Sequence, residues 1–97
     1  MRVVVSYDVR TDTSEGRRRL RRIAKLCESN GVRVQYSVFE CQVDSAEWVK
    51  MKDKIVKIIN EDEDSVRVYF LGSNWQRKIS HIGLKKHFDV VDDTLIL

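Results

Sequence analysis

Proline is absent from this chain, and glycine occurs four times in 97 residues. With 42% hydrophobic and 34% charged residues, this is the composition of a regularly structured globular chain, not a disordered one. No run of about 18 apolar residues occurs, so no membrane-spanning helix is predicted. The first residues lack the apolar core of a secretory leader, so none is expected, and a cytoplasmic location follows as the default. Cysteine is scarce as well. Cys27 and Cys41 fit neither a CxxC pair nor a zinc set. They read as reduced, small, buried hydrophobes. At this length one domain is expected, burying a little over roughly 60% of its unfolded surface.

Charge is present in both signs but unevenly placed. The net charge is +3. Residues 1–40 hold nine Lys/Arg against five Asp/Glu, whereas residues 41–97 hold nine against ten. The positive excess therefore sits in the first half. Ten of the 18 basic residues are arginine, whose planar fork suits phosphate, so the bias points towards nucleic acid.

The stretch MRVVVSYDV, Met1 to Val9, organises the chain. Its valines favour a strand. Alternation puts Val3, Val5, Tyr7 and Val9 on one face and Arg2, Val4, Ser6 and Asp8 on the other. Both faces carry apolar residues, as a central strand requires. Asp8 closes the strand, either as a turn-starting residue or as a site.

Asp12 with Glu15 resembles a capping box, opening a helix that runs to about Ser29. Gly16, Leu20, Ile23, Ala24 and Cys27 form its apolar stripe, with Arg18, Arg21, Arg22 and Lys25 opposite and Arg17 and Arg19 at the boundary. Asn30-Gly31 reads as the helix stop. Residues 32–35 and 38–43 read as two short strands joined by a tight turn or bulge at Gln35, Tyr36 and Ser37, although no Gly or Asn marks it. Asp44 and Glu47 form a second capping box. A helix from Ser45 to about Glu61 would bury Trp48, Met51, Ile55, Ile58 and Ile59. The acidic run 61–64 reads as a solvated connector. Ser65 to Leu71 is a further strand, Gly72 to Lys78 a loop, and Thr94 to Leu97 a terminal strand-like segment after an irregular tail.

This order is βαββαβ: an α+β, ferredoxin-like domain with a four-stranded antiparallel sheet, two helices on one face and an extra C-terminal strand. The second sheet face, bearing Val4, is expected to lie open and to mark an interface. A two-fold homodimer is the simplest closed solution.

MRVVVSYDV, GVRVQYSVFEC and VRVYFLGS together resemble the CRISPR-associated endoribonuclease family, the small ferredoxin-like protein of the spacer-acquisition module. The most specific piece is QYSVF, Gln35 to Phe39, after Arg33; the Tyr7–Asp8 pair is the second. The resemblance spans essentially the whole chain. It implies a homodimer with facing sheets, built on a 1–71 core, with the 72–97 segment supplying a strand exchanged onto the partner subunit. It also implies metal-dependent phosphodiester cleavage of single-stranded RNA or double-stranded DNA, with Asp8 as the catalytic and metal-binding residue. A further implied role is to bridge CRISPR integrase subunits on duplex DNA, in which nuclease activity need not be used.

Mg²⁺ or Mn²⁺ would bind through one or two carboxylates, waters and phosphate oxygens. One Asp8 per chain is a thin site, so a dimer would bring two together. Ser6, on the same strand face as Asp8, and Ser37, in the family motif, are candidates to support the site or hold phosphate. Phe39 reads as core or interface, and His81 and His87 fall in the irregular tail. The scaffold role needs a basic surface. Arg17, Arg18, Arg19, Arg21, Arg22 and Lys25 are candidates for nucleic-acid binding, with Arg33 and Arg77 secondary, and a plain solvated helix face is the competing account. Trp75, in a polar loop, is a candidate partner anchor. The alternatives are a purely architectural DNA- and protein-binding module and a toxin-like metal-dependent endoribonuclease. The base-stacking motif of an RNA-recognition module is missing, and no glycine lies between Asp8 and Ser14 to build a small-molecule loop.

Overall fold

A computed structural model of the chain describes residues 1–72 and 78–83. Along it run β1 (Arg2–Asp8), α1 (Ser14–Asn30), β2 (Gly31–Gln35), β3 (Val38–Gln42), α2 (Ser45–Ile58), β4 (Ser65–Leu71) and β5 (Lys78–Gly83). The valine-rich first strand takes the centre of one antiparallel sheet, in the order β2-β3-β1-β4-β5. It pairs with β3 from Arg2↔Gln42 to Ser6↔Val38, and with β4 from Arg2↔Leu71 to Asp8↔Ser65. The fold is α+β and ferredoxin-like, with a fifth strand added beside β4.

Alternation decides what each face buries. Val3, Val5, Tyr7 and Val9 join the core with Phe39, Cys41, Val66 and Val68, against Ile23 and Cys27 of α1 and Met51 and Ile55 of α2. Ile23, Phe39, Met51 and Ile55 are fully or almost fully buried, and burial of each such side chain stabilises by roughly 1.5–3 kcal/mol. Trp48 meets Phe70 edge-on, with ring centroids 5.1 Å apart. The other sheet face carries Val4, Ser6, Arg67 and Tyr69. Val4 is buried, and so is its in-register neighbour Tyr69. Arg67 lies over the Tyr69 ring, 5.9 Å from its centroid. The exposed apolar residues on β2 are Val32 and Val34, at the sheet edge.

The helix ends follow local chemistry. The cap of α1 is Thr13, which accepts from the Gly16 N–H at 3.0 Å. Asp12, expected in that role, instead accepts from Arg10 Nε at 2.9 Å. The Asp44–Glu47 capping box forms as expected, with bonds of 2.7 and 3.0 Å. Helix α2 ends at Ile58, about a turn short of the expected Glu61. Gly31 is extended, so it does not stop α1 through a left-handed cap. It carries the chain straight into β2, where a Cβ would come within 2.2 Å of the Glu40 carbonyl oxygen.

The β2–β3 connection is a two-residue turn of Tyr36 and Ser37, with Gln35 opposite Val38. No described non-glycine residue has positive φ, so this turn lacks the left-handed backbone that best matches strand twist. A register shift between Arg33 and Gln35 absorbs the mismatch as a bulge.

Strand β5 departs from the sequence reading of a loop through Lys78 and an irregular tail. It pairs with β4 from Ser65↔Gly83 to Phe70↔Lys78, and it holds His81 opposite Arg67. Ile79 and Ile82 are three apart, which hides the period of two. Trp75, Arg77, His87 and the terminal segment Thr94–Leu97, with its expected exchange, lie outside the described residues. Among the described residues no helix is long and apolar enough to cross a membrane.

Candidate functional site

The buried central strand emerges at Asp8, whose side chain is exposed. Beyond Ser6, β1 leaves its pairing with β3, and the Tyr7 N–H donates to the Ser37 carbonyl at 3.1 Å. That bond fastens the β2–β3 turn beside Asp8. Tyr7, Asp8, Val9, Thr11, Leu20, Tyr36 and Ser37 line a shallow cleft of about 230 Å³ there. Asp8 and Ser37 are thus brought together. Ser6 is not, since it faces Val38 and Arg67 within the sheet.

Below this strand end sits Asp64, and here the acidic run 61–64 is more than a solvated connector. Asp64 is fully buried. Its carboxylate accepts from Arg10 N–H at 3.1 Å, Asn60 N–H at 2.9 Å and Arg19 Nε at 2.7 Å. Arg19 also reaches Glu63 at 3.1 Å. A buried carboxylate needs such partners, because an unpaired buried charge is strongly disfavoured. No local signal in the run of four acids marks it, because its role rests on partners at Arg10 and Arg19, far away in the chain. Gly16 closes the same corner: a Cβ there would lie 1.9 Å from the Arg10 carbonyl oxygen.

Arg19 is therefore a correction to the nucleic-acid candidates, because its side chain is only 14% exposed and its guanidinium is held by two carboxylates. Arg33 is partly committed too. It lies 5.0 Å over the Phe39 ring and 3.4 Å from Glu28. Phe39 is core, stacked on Tyr7 at 6.1 Å. Arg17, Arg18, Arg21, Arg22 and Lys25 are exposed. Arg17 donates to the Thr11 carbonyl at 3.2 Å, which places its guanidinium against the loop that lines the cleft. Arg18, Arg21, Arg22 and Lys25 form no ion pair among the described residues.

The titratable groups nearby limit the chemistry. Burial raises the Tyr7 hydroxyl above its ordinary value, against an opposing hydrogen bond from Arg33, so it stays protonated near neutrality and is no base. Burial pushes Cys27 to about 12 and Cys41 to about 11, so neither is a thiolate nucleophile. His81 stands in β5 beside Arg67 and does not line the cleft.

A family model described as CRISPR associated protein Cas2 matches residues 1–79. The CRISPR-associated endoribonuclease Cas2 of Chlorobaculum tepidum is 56% identical over 97 residues, covering all of both chains. The CRISPR-associated endonuclease Cas2 of Halalkalibacterium halodurans is 46% identical over 92 residues, covering 95% of this chain and 96% of that one. The crystal structure of Streptococcus pyogenes Cas2 at pH 6.5 superposes with a TM-score of 0.70 at 56% identity, covering 77% of this chain and 90% of that one. Shared sequence along the whole chain and a shared fold lead to one conclusion: the chain belongs to the CRISPR-associated protein Cas2 family.

Proposed function

We propose that this chain is a nucleic-acid-binding protein of CRISPR spacer acquisition whose Asp8 supports metal-dependent phosphodiester cleavage. The observation that carries the cleavage reading is the exposed Asp8 carboxylate, set in a solvent-open cleft at the end of an otherwise buried strand. The endoribonuclease and endonuclease names of its relatives support the same reading.

Among the described residues no group of three or more His, Cys, Asp or Glu gathers to hold a metal. One chain thus offers Asp8 and no closed cage. This suits Mg²⁺ or Mn²⁺, which keep several waters and take one or two carboxylates plus substrate phosphate. Asp8, joined by the Asp8 of a second copy in a homodimer, would hold the ion, which would supply an activated water and neutralise phosphate charge. Ser37 and Thr11 line the cleft and would offer hydroxyls to a phosphate lying in it. Tyr7, kept protonated, packs on Phe39 and does not abstract a proton.

A second reading is architectural, favoured by the exposed arginines of α1. Arg18, Arg21, Arg22 and Lys25 would track the phosphates of duplex DNA while a CRISPR integrase subunit docks elsewhere. The Asp8→Asn variant separates the two. Purified protein with Mg²⁺ is expected to cut single-stranded RNA or duplex DNA, and the Asn variant to cut neither while binding duplex as before. Equal cleavage by both would remove Asp8 from the chemistry.

A further inference from the structure

A two-residue turn ordinarily carries small or polar residues that tolerate its backbone. Here it carries Tyr36, whose side chain is 81% exposed. Among the described residues Tyr36 takes part in no hydrogen bond and no ring pair. The turn under it is fixed, since the neighbouring Ser37 carbonyl accepts from Tyr7 and the bulge at Arg33–Gln35 sets its direction. In the single chain a large ring on an anchored turn is thus exposed at the wall of the cleft that contains Asp8.

The same cleft supplies the groups that surround a nucleotide. Hydroxyls come from Thr11 and Ser37, and a carboxylate suited to a phosphate-bound cation comes from Asp8. Arg17 rests its guanidinium on the Thr11 carbonyl at the cleft edge. An aromatic face, a cation and hydroxyls within one small surface form the pattern that single-stranded nucleic acid uses: bases stack on the ring while the backbone follows the charge.

We infer that Tyr36 is a stacking platform for an unpaired nucleobase beside the phosphate held at Asp8. In a duplex both faces of each interior base are already covered by neighbouring bases. Only an unpaired base, in a single strand, a loop or a frayed end, can offer a free face to the ring. The platform therefore selects strand state rather than sequence, because every base has such a face. It is also indifferent to the sugar, so RNA and single-stranded DNA are accepted alike. The inference rests on reading the Asp8 cleft as a nucleic-acid site, and it deepens that reading by giving Tyr36 a base-binding role there.

The test is fluorescence anisotropy with labelled oligo(U), labelled oligo(dT) and a labelled duplex, in EDTA so that no cleavage intervenes. Tyr36→Ala is expected to weaken oligo(U) and oligo(dT) binding roughly 5- to 140-fold, the range for loss of one stacked base. Duplex affinity should hold, and Tyr36→Trp should restore single-strand binding. Unchanged single-strand affinity in Tyr36→Ala overturns the inference, and so does an equal loss for duplex. A change in oligomeric state of Tyr36→Ala on size-exclusion chromatography also overturns it, making the ring a subunit contact. Wild-type protein that binds none of the three probes overturns the nucleic-acid reading itself, and this inference with it.

Discussion

Arg19 Nε lies 2.7 Å from Asp64 Oδ2, and this contact joins the first helix to the residue that opens β4. The same carboxylate receives the Arg10 N–H, two residues past Asp8. One buried charge therefore clamps the exit of the central strand, the start of its neighbour and the first half of α1. Removing one partner of such a pair leaves a buried charge uncompensated, at a cost of about 3–5 kcal/mol. Asp64→Ala is expected near the lower end, because Arg19 keeps its contact to Glu63 at 3.1 Å and its side chain is partly exposed. Urea unfolding of the variant measures this, and a loss below about 1 kcal/mol would show that the clamp is weak.

Gly16 gives a sharper contest between two effects. Alanine in place of glycine within a helix normally adds about 1 kcal/mol of stability. Here the added methyl would stand 1.9 Å from the Arg10 carbonyl oxygen, which is backbone and cannot swing away. Overpacking of this kind costs about 1–3 kcal/mol or more, so Gly16→Ala is expected to be net destabilising. Thermal unfolding settles the sign: a raised midpoint would mean the corner between β1 and α1 is looser than its geometry.

Alkaline stability should fall for a stated reason. Burial raises Cys27 to about 12 and Cys41 to about 11, above the ordinary thiol value of 9.0. Both thiols are neutral in the folded and unfolded chains below pH 9, so stability there is full. Above it the unfolded chain releases these protons first, so stability is lost as pH rises towards the folded values. For Cys27 the slope reaches about 1.4 kcal/mol per pH unit. Urea midpoints measured from pH 8 to 11 should therefore decline, and Cys27→Ala, weaker at neutral pH through its cavity, should decline less steeply. Parallel curves for the two proteins would assign the alkaline loss to other groups.

The sheet and helix order was legible because strand and helix periods are clean in β1, α1, α2 and β4. Asp8 was visible too, since a carboxylate ending a valine strand stands out. Three features were not. Asp64 sits in a run of four acids, and nothing local distinguishes the one that folds inwards. Arg19 lies among five arginines in six residues, and only the tertiary position of Asp64 separates it from its neighbours. Tyr36 reads in the sequence only as part of a turn, since exposure of a ring depends on where the bulge aims it.

That separation within the arginine cluster makes the last prediction. Arg18, Arg21 and Arg22 are exposed and make no ion pair among the described residues, so charge reversal there should leave stability within about 0.5 kcal/mol. If they meet phosphates, each loss should lower the slope of log affinity against log salt by about 0.9 for duplex DNA. Arg19→Ala should do the opposite, destabilising the fold through Asp64 while leaving the salt slope of the folded protein nearly unchanged. Duplex titrations across a salt series, paired with urea unfolding of each variant, check both halves. A salt slope that ignores the triple reversal would return this helix face to plain solvation. A stable Arg19→Ala protein with a reduced slope would put Arg19 back on the binding surface.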